Sequence, residues 1–260
     1  MTPKRMLAAL LCTIAVMSVI FACITSDAQE KDFPGTISDS RDLEVYFFDP
    51  EAVLKALKQG DVYITPLTTS TPDEYINSNP PPVKSEAYLW KYDEYLKFAD
   101  ILRKEIWGDD AMLEWDLLRM SFDADCQDPL DGFSTADLYY FRVITLNGED
   151  RYAGRQIQIR PLYGDVVSGS GTNYPRPFFG GWKNIDLRKL KITPDDVLQI
   201  AEKNGGKDFR ITVNNKCWVF ISYVAGDKGW FVSYRSHKGS NGFRMNIDPY
   251  TGEFRILGDQ

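Results

Sequence analysis

QIRPLYGDV (Gln158–Val166) and NIDPYTGEF (Asn246–Phe254) follow one pattern: Ile, any residue, Pro, two more residues, Gly, an acid, then an apolar residue. Pro161 and Pro249 preset a backbone angle of about −65° and suit the first corner of a type I turn. Gly164 and Gly252 supply the left-handed residue that lets a short hairpin rejoin its sheet. Both stretches therefore read as structural turns. Asp248 of the later stretch corresponds to Arg160 in the earlier one, an exchange that a duplicated catalytic acid would not tolerate. The pair predicts two units of like plan, each ending in this turn.

Outward from the later turn, ITPDDVLQIAEKNGG (Ile192–Gly206) is written as a helix. Thr193 caps it, Pro194 takes the first helical position and Asp196 has capping-box spacing. Ile192 and Val197 are spaced as a hydrophobic staple, and Asn204-Gly205 ends the run. Alternation then predicts strands: Phe209, Ile211 and Val213 on one face, Phe243, Met245 and Ile247 likewise, with CWVFISYV and GWFVSYR joined through AGDKG between them. Before the earlier turn, Leu89, Tyr92, Leu96, Ala99, Leu102 and Ile106 recur at spacings of three and four, a helical stripe stopped near Gly108. Strand-like MLEWDLLRMSF, DLYYFRVITL and RQIQIRPL follow.

The predicted fold class is α+β: two tandem units, each a helix packed on an antiparallel sheet, after an N-terminal signal or anchor segment. The boundaries are 1–24 for that segment and 25–64 for a stretch with one short helix, capped by Asp49 and Pro50 and ended by Gly60. A Pro/Thr/Ser/Asn-rich linker covers 65–84, the first unit 85–167, a Gly/Pro-rich connector 168–191 and the second unit 192–260. The connector has no Gly-Lys-Ser/Thr, which a phosphate-cradling loop needs.

MTPKR followed by an apolar run from Met6 to Ile24 is the pattern of a secretory signal or N-terminal anchor. IFAC (Ile20–Cys23) resembles a bacterial lipoprotein box, with Cys23 as the residue to be acylated. Cleavage at Ser26–Ala28 and retention as an uncleaved anchor are the other outcomes. Each places the chain outside the cytoplasm, in a bacterial cell envelope or secreted. There Cys126 and Cys217 would either form a disulfide or stay as separately buried thiols. A net charge of −7 without a basic run argues against nucleic acid as a partner.

No motif assembles a catalytic site. The single histidine, His237, lies in polar SHKGSNG, with no nucleophile motif to complete a triad. DADCQDPLD offers Asp123, Asp125, Asp128 and Asp131 as calcium ligands, but Asp128 stands where an EF-hand needs Gly, and no closing Glu follows. A carboxylate pair for hydrolysis is defined by spatial separation, which one dimension does not show. No cofactor is implied. Strands LYYFRV and CWVFISYV are apolar on both faces: Tyr139, Phe141 and Val143 against Leu138 and Tyr140, Trp218 and Phe220 against Val219 and Ile221. One face would pack under a helix. The other would meet the partner unit, the reading favoured here, or a ligand or protein.

TPDDVLQIAEKNGG (Thr193–Gly206), GWFVSY (Gly229–Tyr234) and FRMNIDPYTGEF (Phe243–Phe254) together resemble the bacterial PepSY and PepSY-like domains. The resemblance covers about residues 192–257 directly and 85–167 through the shared turn plan. Val197 stands where such helices often carry Ala, and the first unit lacks the Thr-Pro-Asp start. The resemblance implies an extracytoplasmic module that in some members inhibits or modulates a peptidase, with no catalytic residues to carry over. The function expected is thus non-enzymatic binding of a protein or peptide partner by a membrane-tethered or secreted chain. Binding of a small ligand or glycan on aromatic strand faces is the alternative, and a hydrolase with a hidden carboxylate pair a third.

Overall fold

The computed structural model describes residues 43–60, 68–70, 86–146, 149–174, 184–238 and 242–257. These all belong to one of the two units into which the chain divides, Ile37–Gln260. The strands are β1 (Leu43–Phe47), β2 (Thr68–Ser70), β3 (Asp116–Asp125), β4 (Phe133–Leu146), β5 (Glu149–Arg160), β6 (Asp165–Tyr174), β7 (Cys217–Val224), β8 (Trp230–Ser236), β9 (Gly242–Ile247) and β10 (Phe254–Leu257). They form one antiparallel sheet in the order β10-β9-β8-β7-β3-β4-β5-β6-β1-β2. The fold is mainly β.

This corrects the expected pair of α+β units. β3 and β7 hydrogen-bond to each other from Arg119↔Val224 to Asp125↔Trp218, so what would have been two sheets is one. Pairing the two strands satisfies backbone N–H and C=O groups that two separate sheets would leave along open edges. The apolar core is shared as well: Phe98 and Leu102, Val197 and Ala201, and the inward residues Phe122, Leu138, Ile157, Val219, Val232 and Ile247 belong to one cluster.

Among the described residues, four helices contribute to that core: α1 (Pro50–Gln59), α2 (Tyr92–Trp107), α3 (Pro194–Ala201) and α4 (Lys207–Thr212). In α1 the Asp49 carboxylate accepts from the Glu51 and Ala52 amides at 3.0 and 3.2 Å, and Gly60 closes the helix at φ 75°. In α3, Thr193 Oγ1 accepts from the Asp196 amide, and the Asp196 carboxylate accepts from the Thr193 amide at 2.9 Å, a reciprocal cap. Helix α2 buries Tyr92, Tyr95, Phe98, Ala99, Leu102 and Trp107, while Leu96 and Ile106 are only partly covered. The stripe expected from spacing is therefore rotated towards the aromatic residues.

Three element assignments also change. DFRITV forms α4 and the turn after it instead of a strand. Asn204 and Gly205 do interrupt the regular helix, but the chain turns helical again at Lys207, packing Phe209 against Tyr234 at 6.5 Å. Ser168–Tyr174, expected in the connector, completes β6, with Gly169 and Gly171 paired to Gln156 and Gly154. Residues 175–183 of that connector lie outside the described residues. Within the expected 65–84 linker, Thr68–Ser70 pairs with β1 as an edge strand.

Candidate functional site

Because strand side chains alternate, the sheet has an inner face under the helices and an outer face away from them. On β7 this places Trp218, Phe220, Ser222 and Val224 outward, and Cys217, Val219, Ile221 and Tyr223 inward. The register sets Phe220 opposite Asp123 and Trp218 opposite Asp125. Beyond β7, Trp218 faces Arg235 and Phe220 faces Ser233. Trp218 is 60 % exposed, Phe220 is 37 % exposed, and the His237 ring lies 4.4 Å from the Trp218 ring. His237 is held there by its amide, which donates to the Lys216 carbonyl at 3.0 Å.

The expected use of this apolar face, packing of one unit on the other, does not occur, since both units share the sheet. The outer aromatic residues divide into two groups instead. Tyr139 and Phe141 bury themselves with Leu118, which a register shift between Leu117 and Arg119 turns to this side. Tyr139 lies over Gly154, where any Cβ would meet its hydroxyl. Trp218, Phe220 and His237 stay open to solvent.

A polar strip separates the two groups. Asp137 accepts from Arg119 Nη2 at 3.2 Å and from Gln156 Nε2 at 2.8 Å. Burial raises the Asp137 carboxyl above its usual range although Arg119 and Gln156 pull it down. Asp123, one step along on β3, keeps an exposed edge but is crowded by protein, which together with the charge of Asp137 pushes it up to about 6. Asp123 can therefore hold a proton at mildly acidic pH. Asp137 is committed to orienting Arg119 and Gln156.

The four aspartates of DADCQDPLD do not converge. Asp123 sits in β3, Asp125 accepts from the Gln127 amide at 2.9 Å, and the Asp128 carbonyl accepts from the Asp131 amide at 3.0 Å. Among the described residues, no group of three or more His, Cys, Asp or Glu is placed to hold a metal. Cys126 and Cys217 are disulfide-bonded, their Cα atoms 5.5 Å apart. Cys23 lies outside the described residues.

Both proline-glycine turns close hairpins. Gly164 (φ 63°) joins β5 to β6, and Gly252 (φ 76°) joins β9 to β10. The Arg160/Asp248 exchange has a physical reason. Arg160 pairs across its turn with Asp165 through two bonds of 2.7 and 2.8 Å. Asp248 instead accepts the Tyr250 and Thr251 amides, each at 2.8 Å, which holds its carboxyl below the usual range. Each residue stabilises its own turn.

A cleft of about 320 Å³ lies where the N-termini of α2 and α3 meet, lined by Lys91, Tyr92, Asp93, Thr193, Asp195 and Gln199. Its main polar contacts are internal: the Asp195 carboxylate accepts from the Tyr92 amide at 3.1 Å and pairs with Lys91 at 3.6 Å.

No protein-family model and no curated protein matches the chain. A crystal structure of a Clostridium difficile 630 protein provisionally assigned as a lipoprotein is similar over 63 % of this chain and 91 % of that one, with 16 % identity and a TM-score of 0.35. Among the described residues, no helix is long and apolar enough to cross a membrane.

Proposed function

We propose that this is a non-enzymatic extracytoplasmic protein, secreted or tethered through its N-terminal segment, that binds a protein or peptide partner on the outer face of its sheet. The observation that carries the reading is the open Trp218–His237–Phe220 group on a face that, among the described residues, no helix covers. Exposed aromatic clusters on a rigid scaffold are favoured as binding anchors, because burying them releases apolar surface at little cost in side-chain entropy. The polar strip of Arg119, Asp123 and Asp137 beside it supplies a hydrogen-bonding rim. The PepSY-like residues 192–257 favour a peptidase as the partner class, and the lipoprotein-like IFAC favours acylation at Cys23.

The test is a pull-down from native envelope with wild type and with Trp218→Ala/Phe220→Ser. Support is one specific protein captured by wild type and bound at least tenfold more weakly by the double variant. The flat exposed indole also suits stacking on a sugar ring. Empty eluates together with glycan-array signals that vanish in Trp218→Ala would replace the protein-partner reading with the glycan one. Labelled palmitate and the mass of the mature N-terminus decide the mode of tethering.

A further inference from the structure

The outer face carries its charges in order across the strands. In one row of directly opposed residues, Asp125 on β3 faces Trp218 on β7, and Trp218 faces Arg235 on β8. The next row runs Asp123, Phe220, Ser233, Arg244 and Leu257, and the one after it ends with Phe231, Asn246 and Arg255. Directly opposed residues of an antiparallel pair point to the same side of the sheet, so all of these share the face of Trp218. Acids therefore stand on β3, the open aromatic rings on β7, and arginines on β8, β9 and β10.

The three arginines are diagonal neighbours, Arg235 to Arg244 and Arg244 to Arg255, positions about 7–8 Å apart on adjoining strands. Long side chains at that spacing can reach toward one another, and like charges there disfavour each other. Nothing on their own strands offsets this, because β8, β9 and β10 contain no Asp or Glu. Among the described residues, Arg235, Arg244 and Arg255 form no ion pair. Arg235 and Arg255 are exposed, and Arg244 is half-covered. An acidic chain of net charge −7 thus gathers three cations beside its open aromatic group. Such a one-signed patch attracts charge of the opposite sign.

We infer that the outer face takes an acidic peptide segment, with an apolar side chain on Trp218 and Phe220 and carboxylates on the β8–β10 side paired with Arg235, Arg244 and Arg255. The inference rests on the outer-face binding reading and adds the chemistry of the partner. Guanidinium groups spread over three strands suit several separate carboxylates, each of which can take two parallel N–H donors. An anionic lipid surface would meet the same arginines, but it would also press its charge on Asp123 and Asp125 across the rings. A peptide can keep its acids to one side of its apolar anchor and so match the order of charges on the face.

The test is selection of a random peptide library displayed on phage against the full chain, followed by titration of the enriched peptides in synthetic form. The expected peptides carry Asp or Glu beside an apolar residue and bind more weakly as salt is raised. Their affinity should fall at least tenfold in Arg235→Gln/Arg244→Gln, and equally when their own acids are changed to amides. Arg235→Glu/Arg244→Glu should turn the preference towards peptides bearing Lys. Thermal melts check that the variants fold, and Arg235→Gln/Arg255→Gln, which alters exposed positions alone, replaces any that does not. Enriched peptides without acids, or peptides that lose affinity in Trp218→Ala but keep it in the folded arginine variants, overturn the acidic segment and leave the outer-face reading standing. Binding indifferent to both the arginine and the Trp218 variants overturns the two together. Capture by phosphatidylglycerol vesicles that the arginine variants abolish, with no acidic peptide enriched, replaces the peptide with a membrane surface. A selection that enriches nothing also overturns the acidic segment, and the pull-down with Trp218→Ala/Phe220→Ser then decides the outer-face reading by itself.

Discussion

Cys126 and Cys217 are bonded where β3 leaves the sheet and β7 enters it, next to the last pair of that seam, Asp125↔Trp218. The bond pins together two strands that are 91 residues apart in sequence. Closing so long a loop removes much of the freedom of the unfolded chain. Cys126→Ser/Cys217→Ser should lose about 2–5 kcal/mol of stability in urea denaturation. Reduction of wild type should give the same loss, and a midpoint unchanged by either treatment would show that the seam holds without the bond.

Glu202 is buried at the bend between α3 and α4, paired with Arg210 and accepting from the Tyr234 hydroxyl at 2.9 Å. Arg210 also donates to the carbonyls of Cys126 and Gln127, both at 3.0 Å. Arg210→Met strands a buried carboxylate and should cost about 3–5 kcal/mol. Tyr234→Phe should cost about 1 kcal/mol. If adding Glu202→Leu to Arg210→Met returns most of the loss, the cost lies in the unpaired charge and not in packing.

Stability should rise as the pH falls from 7 towards 4.5. The sign follows from Asp123: its folded-state value of about 6 lies above the unfolded 3.8, so across that window the native state holds more protons. Asp137, also raised, acts in the same direction. Further acidification reverses the trend, because Asp248, lowered by the Tyr250 and Thr251 amides, loses its contribution once it is protonated. Solvent at the exposed edge of Asp123 moderates the amplitude. Urea midpoints measured against pH should show this optimum, and Asp123→Asn should flatten the upper limb. A midpoint that falls steadily from pH 7 to 4.5 contradicts the assignment.

Gly154 has no room for a side chain, since a Cβ there would lie 2.0 Å from the Tyr139 hydroxyl and 2.8 Å from its Cζ. Gly154→Ala should destabilise by about 1–3 kcal/mol through overpacking. Tyr139→Phe in that background should relieve only part of the strain, because Cζ remains in the way, and Tyr139→Leu should relieve more. Thermal melts of the three variants give the order.

Local features were legible where the residues that make them are neighbours in sequence. Asp49-Pro50 and Thr193-Pro194-Asp196 announce helix starts, because their side chains bond to amides two or three residues on. Gly164 and Gly252 announce hairpins, because few other residues take that backbone angle readily. DFRITV misled because an alternating run of six residues also fits a single helical turn packed on Tyr234. Ser168–Tyr174 misled because its glycines look like a linker, whereas here they lie in β6 opposite β5. The candidate sites were hidden for a different reason. Trp218, Arg235, Arg244 and Arg255 come from β7, β8, β9 and β10, and no spacing rule relates them. The exposure of Trp218 likewise depends on which face the helices leave open.

The two proline-glycine hairpins, the capped starts of α1 and α3, the alternation of β9 and the pairing capacity of two cysteines could be read from the chain alone. All of these rest on side-chain chemistry or backbone angles set within a few residues. That β3 and β7 are neighbours, and that one sheet replaces two, emerges only in the folded molecule. That contact is made by backbone N–H and C=O groups, which every strand carries alike, so no pattern of side chains announces which two strands will meet.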